Sequence, residues 1–197
     1  MILLNGPPSS GKTTVAYALQ RTLPQPFLRV GVEDFIAMHP ERSALGSLVE
    51  ARGGVRIALT PAGWRMMETF HAAVAAIVGT GQRVIIDDLI LHPSLLLDWT
   101  DVLDPERVLF VGLRCPLDEC ERRERARPER DPGLARGYYE EAHAHGGYDL
   151  EVDTAAHPPE EAARLVAERW LGGPPPAALR ELREREALLR GPSDAAP

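Results

Sequence analysis

Gly6-Pro7-Pro8-Ser9-Ser10-Gly11-Lys12-Thr13 decides how this chain is read. It fits the pattern G-x-x-x-x-G-K-[ST] at every position. Such a loop turns its backbone N–H groups inward around phosphate oxygens. The flanks agree with that reading. Met1 to Leu4 is a short apolar run, expected to form a buried strand. Thr13 to Leu23 places Val15 and Leu19 on one face of a helix that Pro24 and Pro26 stop. A helix N-terminus behind the loop adds unpaired amides and a dipole that favours anions. Gly6, Pro7, Pro8, Ser9, Ser10, Gly11, Lys12, Thr13 and Thr14 are therefore the expected nucleotide-binding residues. The Lys12 ammonium would reach the β and γ phosphates, and the Thr13 hydroxyl would meet Mg²⁺.

Composition sharpens the point. The chain has 197 residues and 22 basic side chains, of which Lys12 is the sole lysine. A sequence this biased to arginine keeps an ammonium where a compact point charge is needed and a planar guanidinium does not substitute. The formal charge of −7 speaks against nucleic acid as a partner. No apolar run is long enough to span a membrane, and no export signal precedes the first strand. Cys115 and Cys120 match no zinc or redox spacing and read as buried reduced thiols of a cytoplasmic protein.

Working outward, apolar runs alternate with helical patterns. Phe27 to Val32, Arg83 to Asp87, Val108 to Arg114 and Leu150 to Asp153 read as strands, and Leu48 to Leu59 as a hairpin around Gly53-Gly54. Met66, Met67, Phe70, Ala73, Val74, Ile77 and Val78 lie at helical spacing; Pro116 to Arg127 forms a charged helix, and Pro158-Pro159 opens another. This order predicts a three-layer α/β/α fold with a mostly parallel five-stranded sheet. Residues 1–171 would form the phosphate-binding domain. Residues 172–197 would add a Pro-rich breaker, a short solvated charged helix and a flexible end.

Acids at strand ends supply the remaining chemistry, because ligands of open α/β sheets sit outside the carboxyl ends of the strands. Asp87, ending Val84-Ile85-Ile86-Asp87-Asp88, is expected to steady Mg²⁺, with Asp88 the other choice. Glu33 and Asp34 follow the second strand. One of them would accept the proton of a substrate hydroxyl; the alternative for Asp34 is to cap the short helix running to Met38, so the two acids could divide these roles. Arg127, Arg130 and Arg136 flank the breakers Pro128, Pro132 and Gly133. They suit a small arginine-bearing lid over about residues 127–137 that would stabilise transition-state charge. The bland candidates are His143 and His145, read as exposed, and Met66, Met67, Trp64 and Phe70, read as core of the long helix, although Trp64 and Phe70 could instead line an acceptor pocket.

The segments LNGPPSSGKT, LPQPFLRVGVEDFI, the GGV hairpin, VIIDD, VGLRCPLDECERRERAR and YDLEVDTA run in order from Met1 to about Trp170. In order and spacing the chain resembles the chloramphenicol phosphotransferase family of P-loop kinases. The resemblance implies transfer of the ATP γ-phosphate to a hydroxyl of a small molecule, with a chloramphenicol-like antibiotic as the implied acceptor. It places the family's presumed base on Glu33, where this chain has Glu in place of Asp. It places the family's R-G-D-R lid motif on Arg127-Pro128-Glu129-Arg130, and the turn beside the adenine on Val152-Asp153-Thr154. Rival readings are a kinase of another acceptor (a nucleoside, another antibiotic or a sugar nucleotide) and a nucleotide-binding regulator that transfers no phosphate. ATP consumption that rises with an added hydroxyl compound separates the enzyme from the regulator.

Overall fold

A computed structural model of the chain describes residues 1–90, 92–127 and 131–190. Its strands are β1 (Ile2–Asn5), β2 (Leu28–Gly31), β3 (Gly46–Ala51), β4 (Gly54–Leu59), β5 (Val84–Asp87), β6 (Leu109–Arg114) and β7 (Leu150–Asp153). Its helices are α1 (Lys12–Thr22), α2 (Val32–Met38), α3 (Pro61–Gly79), α4 (Pro93–Val102), α5 (Leu117–Arg125), α6 (Leu134–Tyr138), α7 (Pro159–Gly172) and α8 (Ala178–Arg190). β1, β5 and most of β6 are leucine- and β-branched-rich with no polar alternation, the composition of strands covered on both faces. They form the middle of a five-stranded sheet ordered β2-β5-β1-β6-β7, with every pairing parallel.

Side-chain alternation splits the core in two. Ile2 and Leu4 face α1 and α7, where Val15, Leu19, Ala163 and Val166 are buried. Leu3, Val84, Ile86 and Phe110 face the other layer, where Phe70, Val74, Leu95 and Trp99 pack. α4 went unread in the sequence. Leu95, Leu96, Trp99 and Leu103 do lie at helical spacing there, behind an N-terminal His92-Pro93 whose imidazole accepts from the Ser94 N–H.

Three expectations change. α8 is not a solvated appendage: Leu179 is fully buried and Leu182 nearly so, both in the core beside α4. The carboxylate of Asp149 accepts from the N–H groups of Ala177 and Ala178 and so holds the start of α8. The flexible end, residues 191–197, lies outside the described residues. His143 and His145 are half-buried rather than exposed, and both meet the Tyr148 hydroxyl, at 2.6 and 2.9 Å. The Asn5 amide donates to that hydroxyl at 2.9 Å and to the Ala142 carbonyl at 2.7 Å, tying residues 142–148 to the end of β1. Burial pushes both imidazoles down to about 4. Third, the segment read as a mobile lid ends in a docked helix. Glu124 is buried, and its two carboxylate oxygens accept from the N–H groups of Gly133 and Ala135 at 2.7 and 2.8 Å. α6 then packs on the β3–β4 hairpin, with Val55 N–H donating to the Gly133 carbonyl and Ile57 N–H to the Tyr138 hydroxyl.

Two measurements check this architecture. A Cβ on Gly137 would collide with the Val55 carbonyl. Gly137→Ala is expected to cost about 1–3 kcal/mol in urea denaturation, and an unchanged midpoint would show that hairpin and α6 are not pressed together. The imidazoles of His143 and His145 have an ordinary value of 6.5 and about 4 in the fold, so the unfolded chain binds more protons between those values. Stability should be full above pH about 6.5 and fall as the pH drops toward 4. In the double variant His143→Gln/His145→Gln that dependence should weaken, leaving the part carried by His71, which burial also pushes down to about 4.

Candidate active site

The loop between β1 and α1 is shaped by what its glycines allow. A Cβ on Gly6 would lie 2.6 Å from the Leu113 carbonyl and 2.7 Å from Ser10 Oγ, so the loop can press against β6 only as glycine. Gly11 sits at φ +94°, the left-handed conformation from which α1 starts. Lys12 Nζ donates to the carbonyls of Gly6 and Pro7 at 2.7 and 3.0 Å, which places the ammonium across the loop. Outside support comes from β7 and α5. Thr154 Oγ1 donates to the Ser10 carbonyl at 2.7 Å, and Arg123 donates to the Thr154 carbonyl at 2.8 Å. Glu119 accepts from Arg123 at 2.7 Å, and Arg122 and Arg123 together hold the Glu119 carboxyl down to about 2. The Val152-Asp153-Thr154 turn is thus a buttress of the loop. Among the described residues the buried hydroxyls of Ser9 and Ser10 have no hydrogen-bond partner, as suits groups that complete a phosphate cradle.

Parallel pairing brings the acids to the same edge. Asp87 is in register with Leu4 on one side and Gly31 on the other. The cleft over the loop is lined by Pro8, Ser9, Gly11, Lys12, Thr13, Glu33, Asp87 and Arg127, together with Val32 and Leu89. It holds about 30 Å³ and shares Pro8, Thr13, Glu33 and Arg127 with a wider cleft of about 790 Å³ that also includes Thr14 and Asp34. An oxygen-rich set of Thr13 and Asp87 beside the Lys12 ammonium suits a hard divalent cation.

The two acids after β2 divide. Asp34 accepts from Arg29 through both oxygens at 2.7 Å and from the Gly31 N–H at 2.9 Å, so it caps α2 and pins β2. Glu33, one residue earlier, is exposed and lines both clefts. Arg29 had no signal in the sequence beyond a polar residue in a strand. It also reaches Asp87 at 3.5 Å and lies over the Tyr17 ring at 4.9 Å. The Asp34 and Asp87 carboxylates raise its already high pKa against the opposing effect of burial. Asp88 points the other way. It is fully buried and accepts from the Trp99 indole at 2.8 Å, and burial pushes it up to about 6.

The arginines separate too. Arg127 lines both clefts. Arg136 instead pairs with Glu121 at 2.7 Å, packs on the hairpin glycines and lines neither cleft. Arg130 lies outside the described residues. Phe70 is core and Trp64 packs edge-on to His92. Met67 is buried as expected, whereas Met66 is half-buried and lines a side chamber of about 300 Å³ with Met67. Cys115 and Cys120 are buried free thiols, the latter donating to the Cys115 carbonyl.

Comparison with known proteins bears on this arrangement. The family model described as chloramphenicol phosphotransferase-like protein matches residues 1–171. The chain is 34% identical over 198 residues to "Putative O-phosphotransferase Rv2636" of Mycobacterium tuberculosis, covering 94% of this chain and 88% of that one. Among solved structures it shares its fold with a sugar kinase from Janibacter (TM-score 0.61, 22% identity, 86% of this chain and 92% of that one). It also shares it with the Mycobacterium tuberculosis APS kinase CysC, solved with AMPPNP and APS (TM-score 0.62, 16% identity, 85% of this chain and 94% of that one). Among the described residues no helix is long and apolar enough to cross a membrane. A strand–loop–helix phosphate cradle, a three-layer kinase fold and a match over nearly the whole chain place this protein in the chloramphenicol phosphotransferase-like family of P-loop phosphotransferases.

Proposed function

We propose that the chain transfers the γ-phosphoryl group of ATP, with Mg²⁺, to a hydroxyl of a small molecule, a chloramphenicol-like alcohol being the family-implied acceptor. The observation that carries this is one cleft lined at once by Lys12, Thr13, Glu33, Asp87 and Arg127. In the reaction the acceptor oxygen forms a bond to the γ-phosphorus. The bond from that phosphorus to the β–γ bridging oxygen breaks, ADP leaves with the electron pair, and the hydroxyl proton passes to a carboxylate.

Each residue has a part that its chemistry supports. Amides of the loop and the Ser9 and Ser10 hydroxyls hold phosphate oxygens. Lys12 leaves the Gly6 and Pro7 carbonyls for the β and γ phosphates. Thr13 and Asp87 would hold Mg²⁺, which when bound neutralises charge on the phosphate oxygens. Glu33 is the base, because it lines the cleft over the phosphate loop, whereas Asp34 lines only the wider one and is held by Arg29 and the Gly31 amide. Arg127 supplies positive charge as negative charge spreads over the transferring group.

Three variants test these parts. Lys12→Ala should abolish ATP-dependent mass gain of the acceptor while the circular dichroism spectrum stays unchanged; turnover like the wild type would end the proposal. Glu33→Gln should lower kcat about 10²–10⁴-fold with little change in melting temperature. Asp34→Asn should act mainly on stability, by loosening β2 and α2. The opposite pattern would move the base to Asp34.

A further inference from the structure

Next to the phosphate cleft is a chamber whose lining describes the acceptor. Its volume is about 300 Å³, at the lower end of small-molecule pockets. α2 contributes Ile36, the hairpin Leu48, Ile57 and Leu59, and α3 Met66 and Met67. No aromatic ring lines it among the described residues, so it offers no stacking surface for a nucleobase. Its polar side chains are Arg42, Asp131, Ser43 and Ser47, fewer than the aliphatic ones, which suits a partly apolar ligand better than a polyol.

One cation stands at its mouth. Arg42 lines this chamber and also the wider cleft that contains Glu33, as do Ile36, Ile57 and Asp131. The two spaces therefore adjoin at Arg42. Its turn, Arg42–Ala44, is a fixed part of the wall. Thr60 donates its hydroxyl to the Ala44 carbonyl at 2.6 Å and its N–H to the Leu45 carbonyl at 3.0 Å, and a Cβ on Gly63 would strike that Leu45 carbonyl. The segment is thus locked to the N-terminus of α3. Yet no described carboxylate lies within ion-pair distance of the Arg42 guanidinium. Exposed Arg42 shares this with Arg65, Arg83 and Arg107, but of these four only Arg42 lines both the chamber and the wider cleft. Asp131, on the same junction, would repel an anion from its own side and leave the Arg42 side for it.

We infer that the acceptor is an amphipathic hydroxy acid: an aliphatic body fills the chamber, an oxyanion pairs with Arg42, and a hydroxyl reaches Glu33. A planar guanidinium meets a carboxylate in a two-point contact, whereas an uncharged hydroxyl takes only one of its donors. The inference rests on the O-phosphotransfer reading and sets a charged aliphatic acceptor against the uncharged chloramphenicol-like alcohol that the family implies.

The probes are 3-hydroxy acids from hexanoate to dodecanoate, each matched with the 1,3-diol of equal length, with gluconate as a polyol acid. ATP-dependent phosphorylation is measured as kcat/KM at low ionic strength. The best acid should exceed its diol and gluconate by about 10-fold or more. Arg42→Gln should bring the acid-to-diol ratio close to one, and Arg42→Lys should keep part of it. A wild-type ratio near one, a ratio that survives Arg42→Gln, or no phosphorylation of any acid in the series would overturn the inference. Phosphorylation of the diols, or of some other hydroxyl compound, with Lys12-dependent ATP use would still leave O-phosphotransfer standing. Loss of both would remove the reading beneath it.

Discussion

The register of four parallel strand ends is the constraint on which this structure depends. Leu4, Gly31 and Asp87 stand side by side, and Asn5 stands beside Gly112. Whatever follows those residues must emerge at one edge of the sheet. The phosphate loop follows β1, Glu33 follows β2 and Asp87 closes β5. Shifting one strand by a single residue would turn its side chains to the opposite layer and break the site and the core together. The same buried runs that stabilise the molecule therefore set its chemistry. This explains why Ile2, Leu3, Leu4, Ile85 and Ile86 are all fully buried although none lines either cleft.

Much of this was written in local patterns. The loop carries its own signature, and β1, β5 and β6 are apolar runs whose length and flanks name them. The hairpin is marked by Gly53-Gly54, and β7 falls on Leu150–Asp153 as read. What local patterns could not carry were the partners. Arg29 looks like any polar residue near a sheet edge, and only folding sets it between Asp34 and Asp87. Thr154 is 144 residues from Ser10, so no window of sequence shows that it supports the loop. His143 and His145 sit among glycines, which suggested exposure, but Tyr148 and Asn5 draw them inward. Arginine and glutamate dominate the composition of α8 and make it look solvated, while Leu179, Leu182 and the Asp149 contact at its start decide where it goes.

Glu33 and Asp34 show how the fold resolves an ambiguity that residue type leaves open. Both are carboxylates after the same strand, and either could serve as base or as cap. Asp has the short side chain that folds back onto the N–H groups at the start of a helix, and Asp34 takes that place. The bidentate contact with Arg29 then uses both of its oxygens. Glu33, one methylene longer, is left on the cleft side.

The hairpin links the two halves of the proposed reaction. On one side β4 packs on α6, and α6 is capped by Glu124 from α5, the helix that leads into Arg127. On the other side the turn before β3 is fixed to α3 through Thr60. The walls around the acceptor and the arginine beside the phosphates therefore belong to one connected set of contacts. Under the proposed reaction, an acceptor seated in the chamber would touch Leu48, Ile57 and Leu59 of the same hairpin that packs on α6.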